Sequence, residues 1–114
     1  MKTGDLAVQY HSQGLNCAQC ILRACSGFDE KTALAVGKGL GAGMRCGEMC
    51  GCVSGAIISF GIKNADSGAY KRFINDFSKE FGCLRCADLK ANIISCDTLI
   101  EFSADAVVRI LGET

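Results

Sequence analysis

Cysteine is the residue type in this chain best suited to do chemistry. Nine occur in 114 residues, as three triplets: Cys17, Cys20 and Cys25; Cys46, Cys50 and Cys52; Cys83, Cys86 and Cys96. Thiols gathered at spacings that let their sulfurs converge point to metal ligation or thiol redox chemistry rather than to scattered packing. Two residues separate Cys17 from Cys20, and two separate Cys83 from Cys86, the spacing of zinc sites, iron–sulfur sites and dithiol redox pairs. The long interval between these pairs matches no zinc ribbon or finger, so a shared site has to be assembled by tertiary folding. Soft thiolates suit zinc, copper(I) and iron–sulfur clusters, and the single histidine, His11, leaves an essentially all-sulfur ligand set. Ile21 follows Cys20 and Ala87 follows Cys86, which excludes the Cys-x-x-Cys-His pattern of covalent haem attachment.

The elements that must carry these thiols are helical. Leu99, Phe102, Ala106, Val107, Ile110 and Leu111 form one stripe near the C-terminus, with Glu101, Asp105 and Arg109 opposite. Tyr70, Phe73, Ile74, Phe77 and Phe81 form another across Ser67 to Phe81, and Gly82 supplies the stop. This aromatic stripe reads as core packing. A shorter helix is expected after Asp29 as N-cap, burying Ala33, Leu34, Val36 and Leu40. Asn16-Cys17-Ala18-Gln19 has the form of a capping box, which starts a helix at Cys17. Val53, Ala56, Ile57 and Phe60 repeat at helical spacing within a buried helix over Cys52 to Phe60. Cys17, Cys50, Cys52 and Cys96 thereby fall at helix starts, where free amides and the positive end of the helix dipole stabilise thiolate. The expected fold is all-α, a bundle of about five helices in a single domain over residues 1–114, with no proline to interrupt it.

Composition narrows the function further. Twelve basic and twelve acidic residues balance, so no overall field favours nucleic acid or an anionic membrane surface. The most apolar run, Val53 to Ile62, is too short to cross a bilayer, and the first residues lack the apolar segment of a secretory signal. A cytoplasmic location is expected, where a reducing medium leaves ordinary thiols unpaired. Gly37-Lys38-Gly39-Leu40-Gly41-Ala42-Gly43 lacks the preceding strand of a dinucleotide loop and reads as a flexible loop or close packing, or as bare backbone whose amides can approach cluster sulfides. Cys25 reads as a small buried hydrophobe, His11 as an exposed or capping residue, and Arg45 with Glu48 as a solvated loop pair.

Taken in order, these blocks resemble the redox-active cysteine family named for its C_GCAxxG_C_C pattern, over nearly the whole chain from about His11 to Leu111. Gly14-Leu15-Asn16-Cys17-Ala18-Gln19 resembles the family's first cysteine block. Cys50-Gly51-Cys52-Val53-Ser54-Gly55, preceded by Gly47-Glu48, resembles its central block, and Cys86 and Cys96 match its last two cysteines. Cys52 stands where alanine is usual, and Cys20, Cys25, Cys46 and Cys83 are additions to the pattern. The resemblance implies redox activity without naming a substrate. With it, Cys17, Cys50, Cys86 and Cys96 become the leading ligands of an iron–sulfur or related cluster in electron transfer with an unidentified redox partner. Cys20, Cys46, Cys52 and Cys83 form a second tier. Two alternatives stay open: a thiol–disulfide oxidoreductase working through Cys17 with Cys50 or Cys83 with Cys86, without a cofactor, and a structural zinc protein.

Overall fold

The computed structural model describes residues 1–113. Seven α-helices follow one another: α1 (Thr3–Ser12), α2 (Cys17–Ile21), α3 (Glu30–Gly37), α4 (Gly51–Ile62), α5 (Gly68–Phe81), α6 (Cys86–Ala91) and α7 (Cys96–Gly112). α2 runs on through a π turn, Leu22–Ser26, and stops at Gly27 in the left-handed conformation. Among the described residues there is no strand, only a single antiparallel bridge between Met49 and Arg85. The all-α expectation holds. The count of about five omitted α1, whose inner face is made of Gly4 and Ala7, and α6, too short to show a period.

Side-chain caps start three of the seven helices. Asn16 accepts from the Gln19 amide while the Gln19 side chain accepts from the Asn16 amide, at 2.8 and 2.9 Å, closing the capping box at the start of α2. Asp29 caps α3 through the Thr32 amide, and Ser95 caps α7 through the Thr98 amide. The orientation of α3 differs from the expectation. Ala33 and Gly37 are buried while Val36 is 41% exposed, because a Cβ at Gly37 would stand 2.8 Å from the Gln19 side chain, so this bare face sits on α2.

One core joins the helices. Ile21 and Cys20 of α2, Val53 and Phe60 of α4, Phe73 and Phe77 of α5, and Ile100, Val107 and Ile110 of α7 are fully or almost fully buried. Phe60, Tyr70, Phe73, Phe77, Phe81 and Phe102 form a continuous chain of ring contacts, mostly edge to face, with centroids 4.9–6.3 Å apart. Such pairs contribute about 0.5–1.5 kcal/mol each beyond their buried area. α4 is apolar on every side, as a helix surrounded by others must be.

Candidate functional site: a cavity walled by four thiols

The central block is built for close approach. A Cβ at Gly51 would lie 2.9 Å from the Ala18 nitrogen and 3.2 Å from the Cys17 Cβ, and one at Gly55 would lie 3.0 Å from the Ile21 Cβ. Bare positions four apart thus let α4 cross α2 almost backbone to backbone, bringing the start of α2, with Cys17, against the start of α4, with Cys50 and Cys52.

Cys86 is brought in by different means. The Cys50 amide donates to the Leu84 carbonyl at 2.9 Å and the Cys86 amide to the Glu48 carbonyl at 2.6 Å. Arg85 reinforces the bridge from outside by donating to Glu48 at 3.0 Å and to Asp88 at 3.3 Å. Glu48 therefore pairs with Arg85, and Arg45 instead donates to the Lys38 carbonyl at 2.7 Å, which corrects the expected loop pair. Beneath the bridge runs a tight turn with Ala42, Gly43, Met44 and Arg45 all left-handed, φ 53 to 62°. A non-glycine residue held this way costs on the order of 1–2 kcal/mol. Gly43 is required here, since a Cβ on it would lie 2.5 Å from the Glu48 oxygen and 2.7 Å from the Cys86 Cβ. α6 closes with amides of Ile93 and Ile94 donating to the carbonyls of Lys90 and Leu89, the pairing of a Schellman stop.

The outcome is a cavity of about 190 Å³ lined by Cys17, Cys50, Cys86 and Cys96 together. These residues are respectively the first of α2, the N-cap of α4, the first of α6 and the first of α7. Leu89, Ile94 and Leu99 supply the apolar wall. His11 and Lys90 also line it, and His11 is held through Nδ1, 2.7 Å from the Asp97 carboxylate.

Electrostatically the four thiols are unlike one another. Hydrogen bonding from Cys52 is the main force holding the Cys17 thiol down at about 6, aided by Cys96 and by the positive potential of His11 against the opposing effect of burial. Cys50 is lowered as well, chiefly by Cys52 and with help from the amides of Cys52 and Val53. Burial raises Cys86, and burial with the neighbouring Cys17 charge pushes Cys96 up to about 11. Cys52, fully enclosed beneath the cavity, is raised well above an ordinary thiol because its proton serves both Cys17 and Cys50 and because it is cut off from water. Hydrogen bonding from Cys52 thus favours the thiolate form at Cys17 and Cys50, while the thiol form is favoured at Cys52, mainly by its hydrogen bonds to Cys17 and Cys50, and at Cys96, mainly by burial.

The remaining cysteines lie elsewhere. Cys20 is buried with its thiol donating to the Leu15 carbonyl, and burial pushes it up to about 12. Cys46 is exposed and donates to the Gly43 carbonyl. The Cys83 sulfur donates to the Phe81 carbonyl and accepts from the Asn92 amide. The second-tier members of the two-residue pairs are outside the cavity lining: Cys20 is turned into the core and Cys83 lies on the turn before α6. Cys25 is the small buried hydrophobe expected, its thiol donating to the Ala104 carbonyl. His11 sits at the cavity rather than at a remote surface. Its partner Asp97 is far along the chain, so no local spacing signals the contact.

The four-thiol set is soft and of one donor type, as thiophilic metals and iron–sulfur clusters require. Among the described residues, no group of three or more His, Cys, Asp or Glu side chains stands in a finished metal-binding arrangement. Comparison with curated proteins and with solved structures finds no match. The family described as "Putative redox-active protein (C_GCAxxG_C_C)" matches residues 15–110, which takes in all four cavity cysteines and the Gly51 and Gly55 crossing, and the chain belongs to that family.

Proposed function

We propose that this redox-active chain holds an iron–sulfur cluster through Cys17, Cys50, Cys86 and Cys96 and serves in electron transfer. The observation that carries the reading is the meeting of four thiols, each from a different helix start, on one cavity. When bound, such a cluster supplies one-electron chemistry at a potential set by hydrogen bonds to the sulfurs and by solvent access. The residues present fit those two demands. Cys52 and the amides opening α4 provide donors toward Cys17 and Cys50, and Leu89, Ile94 and Leu99 limit water on one side. A reducing compartment such as the cytoplasm would keep these thiols free for ligation.

The test is anaerobic purification followed by iron and acid-labile sulfide analysis, with visible absorbance recorded before and after dithionite. Brown protein that bleaches on reduction, with colour lost in Cys17→Ala or Cys86→Ala and retained in Cys46→Ala, supports the reading. Colourless protein containing stoichiometric zinc, or metal-free protein with full dithiol activity, replaces it with one of the other two chemistries.

A further inference from the structure

We propose that His11 is a fifth donor of the site, its ring nitrogen Nε2 binding directly to metal held in the cavity, with Asp97 as the positioning residue that fixes the ring. This rests on the metal-holding reading above and extends it beyond an all-sulfur donor set. His11 stands outside residues 15–110, which the family pattern matches, so the pattern gives it no role.

The docking of α1 on α7 places the imidazole. His11 shares a helical face with Gly4 and Ala7, at i, i+3 and i+7. Ala7 is fully buried, and a Cβ at Gly4 would stand 2.8 Å from the Glu101 carbonyl oxygen, so on this face α1 meets α7 closely. Two ties then fix the register of the antiparallel pair. The Gly4 amide donates to Asp105 at 2.7 Å, and about two turns further along α1 the His11 Nδ1 lies 2.7 Å from the Asp97 carboxylate.

That contact decides which nitrogen is free. A carboxylate only accepts, so Nδ1 carries the proton between the two groups, and in the neutral ring the lone pair falls on Nε2. His11 lines the cavity and Asp97 does not. The carboxylate therefore stands behind the ring, the arrangement in which a ligating histidine gives its second ring N–H to an acid. Cys96 and Asp97 are the first two residues of α7, so one helix start supplies both a cavity sulfur and the group that orients the imidazole. Imidazole and thiolate are both ligands for zinc, copper and iron. Among the described residues the donors line the cavity without a finished metal-binding arrangement, so a bound metal draws them together. Any proton on Nε2 passes to solvent as the bond to metal forms.

His11 is the chain's one histidine, so its imidazole signals are unambiguous. Long-range proton–nitrogen NMR is recorded on the reduced, nitrogen-15-labelled full chain, without metal and with an NMR-active isotope of cadmium, at a pH above the histidine range. Alkylation of the same samples reports whether the thiols hold the ion. The metal-free ring is expected to be protonated at Nδ1. With cadmium, the Nε2 resonance should move and the imidazole protons should show coupling to the metal. Asp97→Asn should lose the fixed tautomer and bind cadmium about 10–100-fold more weakly. Protected thiols beside an unmoved imidazole, or a metal-free ring protonated at Nε2, overturn the proposal and leave the cluster reading standing; neither result needs a variant to fold. Coupling to cadmium in a chain that never assembles iron and sulfide supports the proposal and removes the cluster. A chain that retains no cadmium overturns both.

Discussion

Among the thiols, Cys17 is the reactive one because its neighbours are donors. Cys52 and Cys96 place hydrogen bonds on its sulfur and His11 adds positive potential, so ionisation begins near pH 6 while burial holds Cys20 and Cys25 up to about 12. Alkylation of the reduced, metal-free chain by iodoacetamide is therefore expected to reach Cys17 first, its rate falling as pH drops through about 6. Cys52→Ala should move that profile upward towards the ordinary thiol value. The same difference acts on stability. Cys17 is lowered in the folded state from 9.0, so it stabilises the fold fully above pH 9 and loses this contribution as pH falls through about 6. The raised thiols act oppositely, and their contribution is lost as pH rises through their folded values. The urea midpoint should thus climb between about pH 6 and 9 in the unsubstituted chain, and climb less in Cys17→Ala. Part of this was legible in the sequence, since the capping box placed Cys17 at a helix start. The neighbours were not, because Cys96 is distant along the chain, His11 is held at the site by the distant Asp97, and Cys52 shows its role only once α4 crosses α2.

The elements position the thiols through bare backbone rather than through apolar side chains. Gly51 and Gly55 set the α2–α4 crossing, and Gly43 lets the left-handed turn pass under Glu48 and Cys86. Gly43→Ala combines positive φ with Cβ overlap on backbone that cannot yield, and should cost at least about 2 kcal/mol in urea unfolding. It should also detach Cys86 from the site, which loss of metal binding would report. Gly55→Ala should separate α4 from α2, weakening metal binding together with stability. An alanine at exposed Gly39, where a Cβ meets nothing, should leave both unchanged. Sequence periodicity captured α5 and α7, whose buried faces are large side chains such as Phe73, Phe77, Ile100 and Ile110. It missed α1 for the opposite reason. α1 docks by Gly4, whose amide donates to Asp105 at 2.7 Å, and by Ala7, and small residues leave no hydropathy signal. The misplaced Val36 in α3 has the same origin, the hidden face there being Gly37.

At the scale of the whole molecule, segments far apart in sequence deliver their sulfurs to one end of the core. No helix among the described residues is long and apolar enough to cross a membrane. The family pattern marked Cys17, Cys50, Cys86 and Cys96 in order. Their convergence depends on the glycine crossing, the Met49–Arg85 bridge and the Ser95 cap, none of which a spacing rule encodes. Thiol protection tests this convergence most directly, independently of which metal the cell supplies. The reduced chain is incubated with and without cadmium, a soft ion, then pulsed with an alkylating reagent and mapped by mass spectrometry. Cys17, Cys50, Cys86 and Cys96 should become protected together while Cys46 and Cys83 stay reactive. Continued alkylation of Cys86 or Cys96 at saturating cadmium, or protection of Cys46 and Cys83 in their place, would contradict the shared four-thiol centre.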